Sequence, residues 1–243
     1  MEEKNKIEVC FSPALYHLYH NPNANVVVID IMRATTAICA AFAAGAKKII
    51  PVGTVEEAKK MKEAGYVLAA ERDGKVLEFA DFGNSPFNFT PENVKGKTIA
   101  YSTTNGTQAI NMAKDANMLI IGAFTNLSAV TDFLSDQKND IVFLCAGWKD
   151  RFNLEDTICA GAVAEKLIES GKYITICDST NASIDLWKIA KGDILGYIQK
   201  AAHRERLRKM VLDDVVEYCH TPDSVNVLPV YKNGVITNIL TDK

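Results

Sequence analysis

The chain has 243 residues, of which 48% are hydrophobic and 23% charged, with a formal net charge of −3. That is a globular composition, long enough for one large domain or two small lobes, with no overall pull toward nucleic acid or an anionic membrane. No stretch approaches the length of a membrane span and no signal peptide is visible, so a cytoplasmic protein is expected.

Short Val- and Ile-rich runs alternate with helical stretches along the chain. The strands expected are 6–11 (KIEVCF), 25–31 (NVVVIDI), 47–52 (KKIIPV), 66–70 (YVLAA), 97–102 (KTIAYS), 117–122 (NMLIIG), 140–145 (DIVFLC) and 173–177 (YITIC). None alternates strictly, which suits strands covered on both faces. Helices are expected at 35–46, 54–65, 106–115, 127–136 and 154–170. Thr54 and Glu57 form a capping box for the second, and Gly45, Gly65 and Gly171 stand at helix ends. Residues 225–239 read as a hairpin turning at Asn233-Gly234. The fold class is therefore α/β: a mostly parallel sheet covered by helices in three layers, with a C-terminal β-hairpin. The whole chain, 1–243, reads as one unit; if it divides, the lobes are 1–137 and 138–243. The basic run 203–210 (HRERLRKM) lies in a helical pattern and reads as a solvated helix face. Six cysteines (10, 39, 145, 159, 177, 219) lack C-x-x-C spacing, which argues against zinc and against a disulfide framework.

In open α/β sheets, sites form at the carboxyl ends of strands. Four strand ends here deliver polar groups. The second expected strand runs into Asp30, Arg33, Thr35 and Thr36, and the fourth into Glu71, Arg72 and Asp73. The fifth leads into 102–107 (STTNGT), with Thr103, Thr104, Asn105, Gly106 and Thr107. The seventh leads into 145–156 (CAGWKDRFNLED), with Arg151, Glu155 and Asp156. The STTNGT block opens a helix; its N–H groups and hydroxyls suit an anion, although helix capping alone would explain them. Arg33, Arg72 and Arg151 can each grip a phosphate or sulfonate oxygen pair. Asp30, Glu71 and the Glu155-Asp156 pair can hold a hard cation, though acids in a first helical turn also serve the helix dipole. Residues 81–89 (DFGNSPFNF) add a stiff loop with Asn84 and Ser85.

Cys145 and Arg151 stand at the C-x5-R spacing of phosphatases that attack with a cysteine thiolate. The loop between them carries Trp148 and Asp150, and Phe152 follows the arginine where that class usually has a hydroxyl. Asp150 would oppose a bound dianion. Cys145 is therefore expected to pack near the site, with attack by a carboxylate or by water the preferred chemistry.

These blocks, with NLSAV at 126–130 and the tail 206–231, resemble the 2-phosphosulfolactate phosphatase family in the same order over nearly the whole chain. Ala70, Trp148 and Asn153 depart from the family pattern without removing a charged candidate. The resemblance implies a magnesium-dependent hydrolase that converts (2R)-phospho-3-sulfolactate to 3-sulfolactate and phosphate, a step of coenzyme M biosynthesis in methanogenic archaea. Under that reading Asp30, Arg33, Arg151 and Glu155 are the catalytic candidates, and Asp30, Glu71 and Asp156 the ligands of Mg2+. Thr35, Thr36, Arg72, Asn84, Ser85, Thr103, Thr104, Asn105, Gly106 and Thr107 would bind substrate. The expected partner is a small polyanionic phosphate/sulfonate substrate, with no nucleic acid and no membrane; the reading also allows a homo-oligomer. The alternatives are a metal-independent Cys145/Arg151 thiolate phosphatase and a non-catalytic anion-binding protein. The carboxylate cluster beside so many anion donors favours catalysis, because those acids make sense near an anion when a cation sits between.

Overall fold

The computed structural model describes residues 4–209 and 214–241. Eleven strands among them form one sheet: β1 (Asn5–Cys10), β2 (Asn25–Ile29), β3 (Lys48–Pro51), β4 (Val67–Arg72), β5 (Lys75–Val76), β6 (Thr98–Ser102), β7 (Met118–Gly122), β8 (Ile141–Cys145), β9 (Tyr173–Ile174), β10 (Pro229–Lys232) and β11 (Val235–Asn238). The order across the sheet is β5-β4-β6-β3-β11-β10-β7-β2-β8-β1-β9. β4, β6 and β3 form one parallel block; β7, β2, β8, β1 and β9 form another. The hairpin β10–β11 lies between them and joins both, pairing antiparallel with β7 on one side and β3 on the other. It turns at Asn233 and Gly234, at φ 51° and 87°, the left-handed pair a tight hairpin needs.

β2 sits inside the larger block, and Val26, Val27 and Val28 are fully buried between neighbours on both sides. A β-branched run with no polar face has no other stable place. Seven longer helices stand among the described residues: α1 (Ala34–Ala43), α2 (Val55–Glu63), α3 (Gly106–Met112), α4 (Leu127–Ser135), α5 (Leu154–Glu169), α6 (Asp178–Ala190) and α7 (Ala202–Lys209); the first six pack on strands of the sheet. The capping box at Thr54 forms as its sequence indicates. α6 is not among the expected helices, because its opening Asp-Ser-Thr-Asn reads as loop. It forms against α5, where a Cβ on Gly161 would lie 2.1 Å from the Ser183 carbonyl oxygen, so only glycine allows the two helices to approach so closely. No helix among the described residues is long and apolar enough to cross a membrane.

Candidate active site

The carboxyl ends of β2, β4, β6 and β8 converge, and four loops meet there. Asp30 ends β2. Its main-chain carbonyl accepts from Thr35 N–H (3.0 Å) and Thr35 Oγ1 (2.9 Å), while its Oδ1 accepts from Ala34 N–H at 3.2 Å. Thr36 Oγ1 donates to the Ile31 carbonyl at 2.9 Å. The two threonine hydroxyls therefore fold the loop back on itself and do not line a cavity. The Met32–Arg33 peptide bond is cis.

Glu71, at the end of β4, is 4% exposed and fixed by Thr104 N–H (2.7 Å), Gly74 N–H (2.7 Å) and Thr104 Oγ1 (3.2 Å). After β6, Thr103 and Thr107 bond one another, main chain to hydroxyl in both directions. Gly106 lies against the acid: a Cβ there would stand 2.4 Å from Ala34 Cβ and 3.0 Å from Asp30 Oδ2. Asn105 Oδ1 accepts from Lys149 N–H at 3.1 Å and Asp73 pairs with Lys149 Nζ at 2.7 Å, so the three loops after β4, β6 and β8 are tied together. The loop after β8 carries left-handed backbone at Gly147, Lys149 and Asp150, a strain that clusters at working sites. Asp156 holds that loop: Oδ1 accepts from Ile31 N–H (2.9 Å) and Oδ2 from Gly147 N–H (3.0 Å).

A cavity of about 30 Å³ opens at this convergence, lined by Asp30, Arg33, Glu71, Asn84, Asn105 and, from the far end of the chain, His203. A larger one of about 620 Å³ adjoins it, with Lys149, Arg151, Lys200 and Glu155 on its walls. Trp148, His203 and Arg206 line both. The Arg206 guanidinium lies 4.5 Å over the Trp148 ring centre, a cation–π contact.

Electrostatically the small cavity is unsatisfied. Arg33 is 6% exposed, and its guanidinium makes no hydrogen bond or ion pair among the described residues. Asn84 Oδ1 is buried with no partner. Burial pushes the Asp30 carboxyl up to about 6, against the pull of His203 and the Ala34 N–H. Asp156 is raised well above the usual range by burial, then by the charges of Asp30 and Glu155. Burial also acts to raise Glu155, but His203 beside it outweighs that and holds it below the ordinary value.

The structure thus brings Asp30, Arg33, Glu71, Asn84 and Asn105 together, with Arg151 and Glu155 in the adjoining cavity. It directs other expected residues elsewhere. Arg72 donates to Glu71 O, Gly53 O and Ser102 Oγ and lines neither cavity. Ser85 also lines neither, and both Asp156 oxygens are taken by backbone amides. The run 203–210 is not simply a solvated face: His203 and Leu207 are 6% and 4% exposed and, with Arg206, turn inward; Met210 lies outside the described residues. The positions 203, 206 and 207 share one helix side, a spacing that marks an inward face. Cys145 is fully buried, and burial first, Asp156 second, push its thiol well above the ordinary range. A thiolate nucleophile needs the opposite.

Known proteins are similar to this chain over most of its length. The family model described as 2-phosphosulpholactate phosphatase matches residues 10–234. A probable 2-phosphosulfolactate phosphatase of Caldanaerobacter subterraneus subsp. tengcongensis is 38% identical over 216 residues, 87% of this chain and 89% of that protein. One from Clostridium acetobutylicum is 38% identical over 217 residues (88% and 92%), and one from Microcystis aeruginosa 34% over 233 (90% and 97%).

Proposed function

This chain belongs to the 2-phosphosulfolactate phosphatase family, and from that premise we propose that it hydrolyses (2R)-phospho-3-sulfolactate to 3-sulfolactate and phosphate with the help of Mg2+. The observation that carries the reading is Arg33. A guanidinium that is 6% exposed and has no partner among the described residues costs several kcal/mol unless an anion meets it. A phosphoryl group in the small cavity meets it with two oxygens in the planar fork that arginine favours.

The donors fit magnesium. Asp30 and the unpartnered Asn84 Oδ1 give an oxygen-only set; Glu71 lines the same cavity, but both its oxygens already accept loop N–H groups. Among the described residues no three His, Cys, Asp or Glu side chains form a cage, and magnesium takes one or two carboxylates plus substrate oxygens rather than a protein cage. When bound, the ion would neutralise charge on the phosphoryl oxygens. Asp156 serves differently, holding the loops after β2 and β8 by their amides. Asn105 faces the phosphate from the β6 loop, and Gly106 keeps room for Asp30. The carboxylate and sulfonate end of the substrate extends into the larger cavity, where Lys149, Arg151, Lys200 and Arg206 offer positive charge. Positioning and charge neutralisation are what phosphoryl transfer asks of a protein.

The test is phosphate release from 2-phosphosulfolactate by the purified protein. We expect turnover with magnesium and its loss in EDTA, restored by added magnesium. No release with magnesium present would end the reading.

A further inference from the structure

We propose that His203 is the general acid of this reaction, with Glu155 as the residue that positions it; the inference rests on the phosphatase reading above. If phosphate occupies the small cavity and the acid tail the larger, the ester oxygen between them lies at their junction. Trp148, His203 and Arg206 line both cavities. Of these three, only the imidazole carries ring nitrogens that can both donate and accept a proton.

The ring is held for that task. His203 Nδ1 stands 3.1 Å from Glu155 Oε1, with the two side chains 7% and 2% exposed. Asn153 Nδ2 lies 3.4 Å from the same nitrogen, but the carboxylate is nearer and charged, so Nδ1–H faces Glu155. Both Glu155 oxygens are buried without a hydrogen-bond donor in good alignment. An uncompensated buried carboxylate is costly, and the imidazole is the neighbour that offsets it. A carboxylate behind one ring nitrogen fixes the tautomer and frees the other. Nε2 has no partner among the described residues and is the nitrogen left for the cavity.

In the step, the P–O bond to the leaving group breaks and its electron pair stays on oxygen. The Nε2 proton moves onto that oxygen, so 3-sulfolactate departs as an alcohol. The oxygen gained by phosphorus comes from water, and a proton of that water restores the imidazolium. An alkoxide is a poor leaving group, and donation of this kind contributes about 10²–10⁴ in rate.

The charged and titratable groups around the ring are Glu155 at the start of α5, Asp30 after β2, Arg206 and Arg204 on its own helix, Lys149 beyond Trp148, and His220. For His203→Gln we expect kcat on 2-phosphosulfolactate to fall about 10²–10⁴-fold. Affinity for inorganic phosphate, by calorimetry, should stay within about threefold, since Arg33 and Asp30 form the phosphate seat, while the thermal midpoint should fall because Glu155 loses the imidazole that offsets it. Glu155→Gln should move the alkaline limb of the kcat profile to lower pH, because the imidazolium loses its counter-charge. Retained kcat in His203→Gln, or loss of kcat together with phosphate affinity, overturns the assignment, as does an unmoved limb in Glu155→Gln. If the unaltered protein binds phosphate yet releases none from the ester, the reaction assigned above fails instead.

Discussion

At the scale of the residue, the division of labour among the arginines is decided by burial. Arg151 was the arginine singled out by its C-x5-R spacing, but its side chain is exposed, whereas Arg33 is enclosed at 6%. Charge-assisted contacts strengthen away from water and weaken in it. Arg33→Met should therefore lower kcat/KM at least about ten- to a hundredfold, the worth of one charged hydrogen-bonded contact. The same change should raise or leave unaltered the thermal midpoint without ligand, because it removes a buried charge that has no partner among the described residues. Arg151→Ala should lose less than about tenfold. Both are read by steady-state kinetics, with thermal melts beside them; a larger loss for Arg151 would return the main phosphate grip to it. Cys145→Ser should keep most of its activity, and iodoacetate at pH 8 should leave the enzyme working, since the thiol is buried and held protonated. Rapid inactivation that phosphate protects against would contradict this. The cluster itself was legible: Asp30, Glu71, Asn84 and Asn105 each follow a strand or stand beside a stiff turn, where the α/β rule directs attention. The threonines were over-assigned, because a hydroxyl in a loop looks alike in sequence whether it faces a ligand or its own backbone.

At the scale of the element, loops are held by buried acids rather than by the helices they open. Asp156 stands in the first turn of α5, where a carboxylate reads as a dipole partner. In the fold both its oxygens accept backbone N–H groups from other segments, Ile31 and Gly147. An amide cannot accept with both ends, so Asp156→Asn sets an NH2 against an N–H. We expect a loss of about 1–3 kcal/mol in stability by urea denaturation, with activity falling as the strained loop after β8 relaxes. Unchanged stability would show that the loop is held otherwise. Helix α6 and the inward face of α7 escaped the sequence reading for different reasons. α6 opens on residues with weak helix preference and is stabilised by packing on α5 at Gly161. α7 is so rich in Arg and Lys that its charge hides the inward pair His203 and Leu207, four residues apart.

At the scale of the whole molecule, enclosing the site has a consequence for pH. Asp30 rises from 3.8 to about 6 through burial. A carboxyl raised on folding binds its proton more tightly in the native state. Its contribution is full below about pH 4 and is lost as pH climbs through about 6. The expected loss in EDTA between pH 4 and pH 8 is about 3 kcal/mol at most from this group. Asp30→Asn should flatten the stability curve over that window, measured by denaturation at each pH; an equal slope in both proteins would show that Asp30 does not carry it. The strands other than the short β5, the α/β class, the terminal hairpin and the polar strand ends were determined by the sequence, because β-branched runs, caps and an Asn-Gly turn act locally. The tertiary structure decided where the hairpin goes: between β7 and β3, where it joins two parallel blocks into one sheet. It also decided that residues beyond 200 complete a site begun at residue 30. Local chemistry fixes which segments extend or coil. Which of them meet depends on burying every apolar face and pairing every inner strand edge at once, and no single stretch of the chain contains that condition.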